Sequence, residues 1–225
     1  MKNKFRILIG CEESDEVRGR FEKLGYDAWS CDIKENRNKN AKHYQEDIFN
    51  ILNQKWDCFI SFPPCTHLAV SGSRHFEQKI KDGRQQEGID FFMKMINADI
   101  NHIAVENPIG IMSKKYRKPD QIIQPFYFGD KAQKSTCLWL KNLPKLYHNK
   151  QVNLFDKEVT HTDKGEFFEW VDKKTGVIKK QPLWYYNALK QSADKRAEIR
   201  SKTFSGIAEA MVNQWDNYFS FKYNF

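Results

Sequence analysis

Apolar positions along this chain come in short bursts whose spacing alternates between two periods. Phe5 to Cys11 (FRILIGC) is an almost unbroken apolar run, the pattern of a strand covered on both faces. A polar, acidic turn (EESDE) follows, and then Val17, Phe21 and Leu24 recur at helical spacing until Gly25 stops them. Tyr26 to Cys31 reads as a second strand, ending at Asp32. Strand, helix and strand in about thirty residues predict a βαβ unit and hence a parallel sheet.

The pattern then repeats. Asp57 to Phe62 is strand-like and is cut off by Pro63 and Pro64. A long helix is expected with Ile89, Phe92, Met93 and Ile96 on one face. His102 to Val105 is a short strand running into Glu106-Asn107-Pro108, where Asn107 and Pro108 are expected to turn the chain. Beyond Gln121, Phe126 to Phe128 and Thr136 to Leu140 look like further strands. Phe167 to Lys179 reads as a hairpin with its turn at Lys174-Thr175-Gly176. The closing helix starts near Ser205, and its stripe Ile207, Ala208, Met211, Val212 and Trp215 is read as core packing. The expected fold class is therefore α/β: a mostly parallel sheet with helices on both faces. A length of 225 residues fits a single domain over 1–225, with a small hairpin-containing insert at about 145–196 as a candidate substrate contact.

Composition changes this picture in two places. Basic residues exceed acidic ones, 37 to 29, for a formal charge of +8, which favours a polyanionic partner such as nucleic acid. The cysteines, Cys11, Cys31, Cys58, Cys65 and Cys137, are five in number and contain no C-x-x-C pair. Neither a zinc ribbon nor a disulfide framework is expected, no metal site is assigned, and a reduced, cytoplasmic setting fits. The apolar run after the basic N-terminus ends by Cys11, too short for a signal peptide's core or a membrane span.

The candidate chemistry lies where strands end, because open α/β sheets bind ligands at the carboxyl edge of their strands. In Ser61-Phe62-Pro63-Pro64-Cys65-Thr66, two prolines stiffen the backbone after a strand and present Cys65 in a fixed direction. A nucleophile needs such preorganisation, and a thiolate suits attack on an electron-poor ring carbon. Glu106, after the apolar HIAV, is a second candidate at the same edge, an acid able to protonate or hydrogen-bond a pyrimidine ring nitrogen. Asp32 lies 22 positions after Gly10, a spacing that lets an acid accept both hydroxyls of an adenosine ribose. Asp47 and Ile48 stand where a third strand or turn would reach the adenine. Arg74, Lys79, Lys81 and Arg84 follow the cysteine and could hold phosphates or simply be solvated.

Taken together, these residues resemble the cytosine carbon-5 DNA methyltransferases. Pro63-Pro64-Cys65 looks like that family's nucleophile motif, and Leu68 to Gly72 like the loop that follows it. Glu106-Asn107-Pro108 looks like its E-N-V motif. Asp32 and Asp47-Ile48 look like its ribose and adenine contacts, and Ser205-Gly206-Ile207-Ala208 like its C-terminal cofactor motif. The likeness is greatest to short, often phage-encoded proteins with a CEES-type first turn, PPCT, ENP, KSTCLWL and a closing GIAEAM-type helix. It implies a Rossmann-like methyltransferase fold, S-adenosylmethionine as cofactor and DNA as substrate. Cys65 and Glu106 would be catalytic, and Gly10, Cys11, Glu12, Asp32, Asp47, Ile48, Pro63 and Ser205 would line the cofactor site.

The sequence departs from that family in three ways. Cys11-Glu12-Glu13-Ser14 replaces a glycine-rich first turn, so Glu12 or Glu13 would take the cofactor's ammonium. Gln133-Lys134-Ser135-Thr136-Cys137 offers one lysine where the family has a Q-x-R-x-R motif. A full target recognition domain is missing, so a partner chain could supply target recognition. Two other readings therefore stay open: a methylase of free pyrimidine nucleotides, and an inactive nucleic-acid-binding or decoy protein.

Overall fold

The computed structural model describes residues 2–39, 41–148, 151–152, 158–159 and 163–225. The apolar bursts become strands of one seven-stranded sheet. Its members are Arg6–Gly10 (β1), Asp27–Asp32 (β2), His43–Gln45 (β3), Cys58–Ser61 (β4), His102–Pro108 (β5), Gln121–Ile123 (β6) and Thr136–Lys141 (β7). They lie in the order β3-β2-β1-β4-β5-β7-β6. The first five are mutually parallel, whereas β7 runs antiparallel to both β5 and β6. A mostly parallel sheet in this order is the arrangement of methyltransferase folds. Helices in this part of the chain are Arg18–Lys23 (α1), Phe76–Lys81 (α2), Arg84–Ile96 (α3) and Met112–Lys115 (α4).

Both sheet faces are covered, as continuous apolar strands require. Register puts Leu8, Phe59 and Ile103 side by side, and Val105 opposite Trp139. Together with Phe92, Met95 and Ile96 of α3 they form one buried cluster, in which the Phe92 and Trp139 rings meet edge to face at 5.1 Å. The alternate positions, such as Ile7, Ile9, Ile60 and Ala104, are also buried, and pleating turns them to the opposite face. Rings gather around Tyr26, including Phe21 of α1 at 5.5 Å and Phe219 of the closing helix at 6.3 Å. The expected α3 stripe is rotated by a fraction of a turn. Phe92, Met95 and Ile96 are buried, while Ile89 and Met93 sit partly buried at its margin.

The βαβ start is closed at both ends of α1. Gly25 has φ +90°, and the amides of Gly25 and Tyr26 donate to the carbonyls of Glu22 and Phe21 at 2.9 and 3.2 Å, a Schellman-type stop that favours glycine. At the other end, the Glu12 carboxylate accepts from the amides of Val17 (2.7 Å) and Arg18 (3.1 Å). Buried Arg18 is held by Asp15 and Glu22. Burial outweighs the two amide donors at Glu12 and pushes its pKa up to about 7 from 4.5. The folded state thus holds this proton more tightly than the unfolded chain. The associated stability is complete below pH 4.5 and is lost as pH rises towards 7. Chemical denaturation across that window should show a fall of about 1–3 kcal/mol, and Glu12→Gln should flatten it.

Two sequence expectations need correction. Phe126 to Phe128 is not a strand: Pro125–Phe128 forms a 3-10 turn, with Pro125 at its start and Gly129 at φ +92° ending it. Proline pre-sets a helical φ and the left-handed glycine ends the turn, overriding the strand preference of three aromatics. Asn107 and Pro108 do not turn the chain either. They pair with Cys137 and Thr136, so β5 continues through Glu106 to Pro108.

The chain divides into two compact units. The sheet belongs to the first, made of 1–123, 135–147 and 211–225; the second comprises 124–134 and 148–210. The second unit contains Gln151–Val152 (β8), Glu158–Val159 (β9), Phe167–Val171 (β10), Ile178–Pro182 (β11), Leu183–Leu189 (α5) and Ala193–Ser201 (α6). Ser205–Tyr223 (α7) begins there and ends in the first. The expected hairpin is present as β10–β11. Its turn is held by the Asp172 carboxylate, which accepts from the amides of Lys174 and Thr175 at 3.0 and 3.1 Å, and by Gly176 at φ +69°. Phe168 of β10 stacks on Tyr186 of α5 at 3.6 Å. Among the described residues no helix is long and apolar enough to cross a membrane.

Candidate active site at the carboxyl edge of the sheet

Because β1, β2, β4 and β5 are parallel, the residues that follow Gly10, Asp32 and Ser61, and the last residues of β5, share one edge. At the centre of that edge the chain leaves β4 through Phe62, whose amide still donates to the Gly10 carbonyl at 3.0 Å. Pro63 is buried and Pro64 exposed. Cys65 is half-buried and opens a tight turn in which its carbonyl accepts from the amides of Leu68 and Ala69, both at 3.0 Å. Leu68 is fully buried in the α3-side core and anchors the turn.

Two links tie this turn to β5, where Glu106 stands half-buried opposite Leu138. The buried Asn107 side chain donates to the Pro63 carbonyl at 3.1 Å. After β5, Ala69 and Gly110 form an antiparallel bridge, with Val70 donating to Ile109 and Ile111 to Leu68, each at 3.0 Å. The contact is close enough to demand glycine: a Cβ on Gly110 would lie 2.3 Å from the Leu68 carbonyl oxygen. Gly110→Ala should therefore cost about 1–3 kcal/mol, the range for overpacking, and thermal unfolding of the variant measures it. Glu106 is also close enough to Cys137 for its charge, after burial, to help raise that thiol to about 11.

The first turn and its neighbours gather at the β1–β2 end of the same edge. The amides of Cys11 and Glu12 both donate to the Cys31 carbonyl, at 2.7 and 3.3 Å. Cys11 has φ +58°, adopting without glycine the left-handed backbone that this turn requires. Burial first, then the charges of Asp32, Cys31 and Asp47, push its thiol upward. Asp32 uses one oxygen to accept from the Lys34 amide at 2.9 Å, and burial raises its carboxyl. Asp47 accepts from the Phe49 amide at 3.0 Å, capping the 3-10 turn Ile48–Asn50. Ile48 is buried, and with the Phe59 ring it fills the space a Cβ would need at Gly10, so Gly10 is demanded by core packing.

Each aspartate thus spends one oxygen on backbone and keeps another as an acceptor, a pair of acceptors that fits the ribose hydroxyls and the exocyclic amine of an adenosine. Glu12 is 3% exposed with both oxygens on the Val17 and Arg18 amides at the start of α1, and a cofactor ammonium would have to share it. Glu13 is paired with Lys34 and Arg37. Ser205 lies in the second unit, beside Gly206, whose amide donates to Asp130 at 2.8 Å.

The basic residues after Cys65 divide differently from the sequence expectation. Lys81 pairs with Glu77 and Arg84 with Asp82 on the surface, whereas Lys79 is 7% exposed and donates to the Thr66 carbonyl at 2.6 Å. A phosphate-holding role does not fit so buried a lysine. Asn107, Gly110 and Lys79 tie the site together in ways that sequence reasoning missed: it gave Lys79 to phosphates, Asn107 to a turn and Gly110 no role. Their partners lie 13 to 44 positions away along the chain, beyond any local pattern. A glycine two residues past Glu106-Asn107-Pro108 was the one available signal.

No family profile matches the sequence, and no curated protein matches it. Among solved structures the chain is similar to a prophage-encoded E. coli protein provisionally described as a DNA modification methyltransferase. The two share 17% identity at a TM-score of 0.41, over 60% of this chain and 46% of that one. This chain thus spans under half of that structure's length. The fold assignment rests on the strand order itself.

Proposed function

We propose that the protein is an S-adenosylmethionine-dependent methyltransferase acting on carbon-5 of cytosine in DNA, with Cys65 as nucleophile and Glu106 as its acid partner. The observation that carries this reading is the double tie between the Cys65 turn and β5, through Asn107 to Pro63 and through Ala69 to Gly110. It fastens the turn that carries Cys65 to the strand that carries Glu106, which supports preorganised attack.

In this reading the Cys65 thiolate forms a bond to ring carbon-6 while Glu106 gives its proton to ring nitrogen-3. The ring's displaced electron pair is thereby held at carbon-5 and the exocyclic enamine. S-adenosylmethionine, when bound, would supply an electrophilic methyl group to that carbon, the broken methyl–sulfur bond leaving its electron pair on the departing neutral thioether, S-adenosylhomocysteine. Loss of the carbon-5 proton to a base then lets the carbon–sulfur bond break. The ring double bond returns, and Glu106 recovers its proton. On duplex DNA the target base leaves the stack, at a cost of a few kcal/mol. Asp32 would accept from the ribose hydroxyls, and Asp47 and Ile48 would contact the adenine. The excess of 37 basic over 29 acidic residues suits a phosphate backbone.

The reading is tested by incubating the protein with methyl-labelled S-adenosylmethionine and mixed-sequence DNA, then digesting to nucleosides. Label is expected in 5-methylcytosine; label on free cytidine nucleotides alone would favour the mononucleotide methylase. By titration calorimetry, Asp32→Ala should weaken S-adenosylmethionine binding at least tenfold, the loss of about 1.5–3 kcal/mol expected for a hydrogen bond to a charged group.

A further inference from the structure

Lys79 of α2 is a buried cation beside the candidate nucleophile. Its Nζ donates to the Thr66 carbonyl at 2.6 Å, and a Cβ on Gly72 would lie 3.4 Å from it, so the loop closes around the ammonium. The Phe76 ring centroid is 6.0 Å away. Among the described residues no carboxylate pairs with it. A buried charge without a counter-ion is costly, and its presence calls for a compensating gain nearby. Thr66 follows Cys65 directly, so peptide geometry keeps Nζ within about 9 Å of the Cys65 Cα.

Among the described residues, charged groups reach the neighbourhood of this turn from three elements. Lys79 projects from α2. Arg84, Asp82 and Glu87 lie at the α2–α3 junction, and Glu106 stands on β5. His67, two residues after Cys65, reports their balance. Burial lowers its pKa most, followed by Lys79 and Arg84, with Asp82 and Glu87 opposing less strongly. At His67 the two cations outweigh the two carboxylates, and Lys79 itself is buried, which weakens solvent screening of its charge.

We propose that Lys79 is a positioning residue for Cys65: it clamps the Thr66 carbonyl so that the turn keeps its aim, and its buried charge favours the thiolate. This deepens the reading of Cys65 as nucleophile and rests on it. Charge and clamp are separable, because glutamine at 79 can still donate to Thr66 without carrying charge.

The test is the pH dependence of Cys65 alkylation by neutral iodoacetamide in the full chain, followed by peptide mass spectrometry so that the other four cysteines do not interfere. In Lys79→Gln and Lys79→Met the alkylation midpoint should rise by about one pH unit, with alkylation near neutrality about tenfold slower. Lys79→Arg should restore the wild-type midpoint. If Lys79→Met fails to fold by circular dichroism, the glutamine and arginine variants decide. A wild-type midpoint in Lys79→Gln overturns the proposal. Because alkylation needs no methyl transfer, an unchanged midpoint in an active protein counts against Lys79. A shifted midpoint in a protein that never methylates DNA counts against the functional reading.

Discussion

Replacing Cys65 with serine should reduce methyl transfer to DNA by at least about four orders of magnitude. The expected loss is this large because the reaction has no second route: without a bond to carbon-6, carbon-5 of cytosine is too electron-poor to accept an electrophilic methyl group. Serine preserves the turn, since it is shaped by the amides of Leu68 and Ala69 donating to the Cys65 carbonyl, which the substitution leaves in place. Thermal unfolding and S-adenosylmethionine binding should therefore match wild type. Residual transfer within tenfold of wild type would remove Cys65 from the chemistry.

Glu106→Gln should lower kcat by about 10²- to 10⁴-fold, the usual contribution of a positioned acid. Glutamine keeps the size and can hydrogen-bond a ring nitrogen, but it has no proton to give as charge develops there. The ties that hold β5 to the Cys65 turn come from Asn107 and Gly110, and they survive the change. Folding and cofactor affinity should stay as in wild type, so the defect falls on the chemical step. Steady-state kinetics with a single DNA substrate separates the two: a raised KM with intact kcat would assign Glu106 to binding alone.

The elements were legible where one local rule dominated. FRILIGC could hardly be other than a covered strand, and Gly25 at φ +90° is the stop that its residue type announced. Asp32 and Cys65 were visible because each follows an apolar run that had to be a strand. Reading failed where two rules competed. Three aromatics at Phe126 to Phe128 suggested a strand, yet Pro125 and Gly129 on either side imposed a turn. Pro108 suggested a break, yet it is the last residue of β5, where a missing amide costs the ladder little. The site's internal ties were not legible at all. That Lys79 is buried, or that Asn107 reaches a carbonyl 44 residues earlier, depends on how distant segments pack. A lysine in a helix reads by default as a solvated charge.

The whole account stands on a thiol at Cys65 that attacks a cytosine ring, and the most direct measurement is covalent trapping. DNA carrying 5-fluorocytosine has no removable proton at carbon-5, so the enzyme cannot release it once methylated. Wild-type protein with S-adenosylmethionine and mixed-sequence 5-fluorocytosine DNA should give a denaturation-resistant adduct. Mass spectrometry should map that adduct to Cys65, and Cys65→Ser should give none. Wild-type protein that forms no adduct under these conditions, or a serine variant that still forms one, would contradict it.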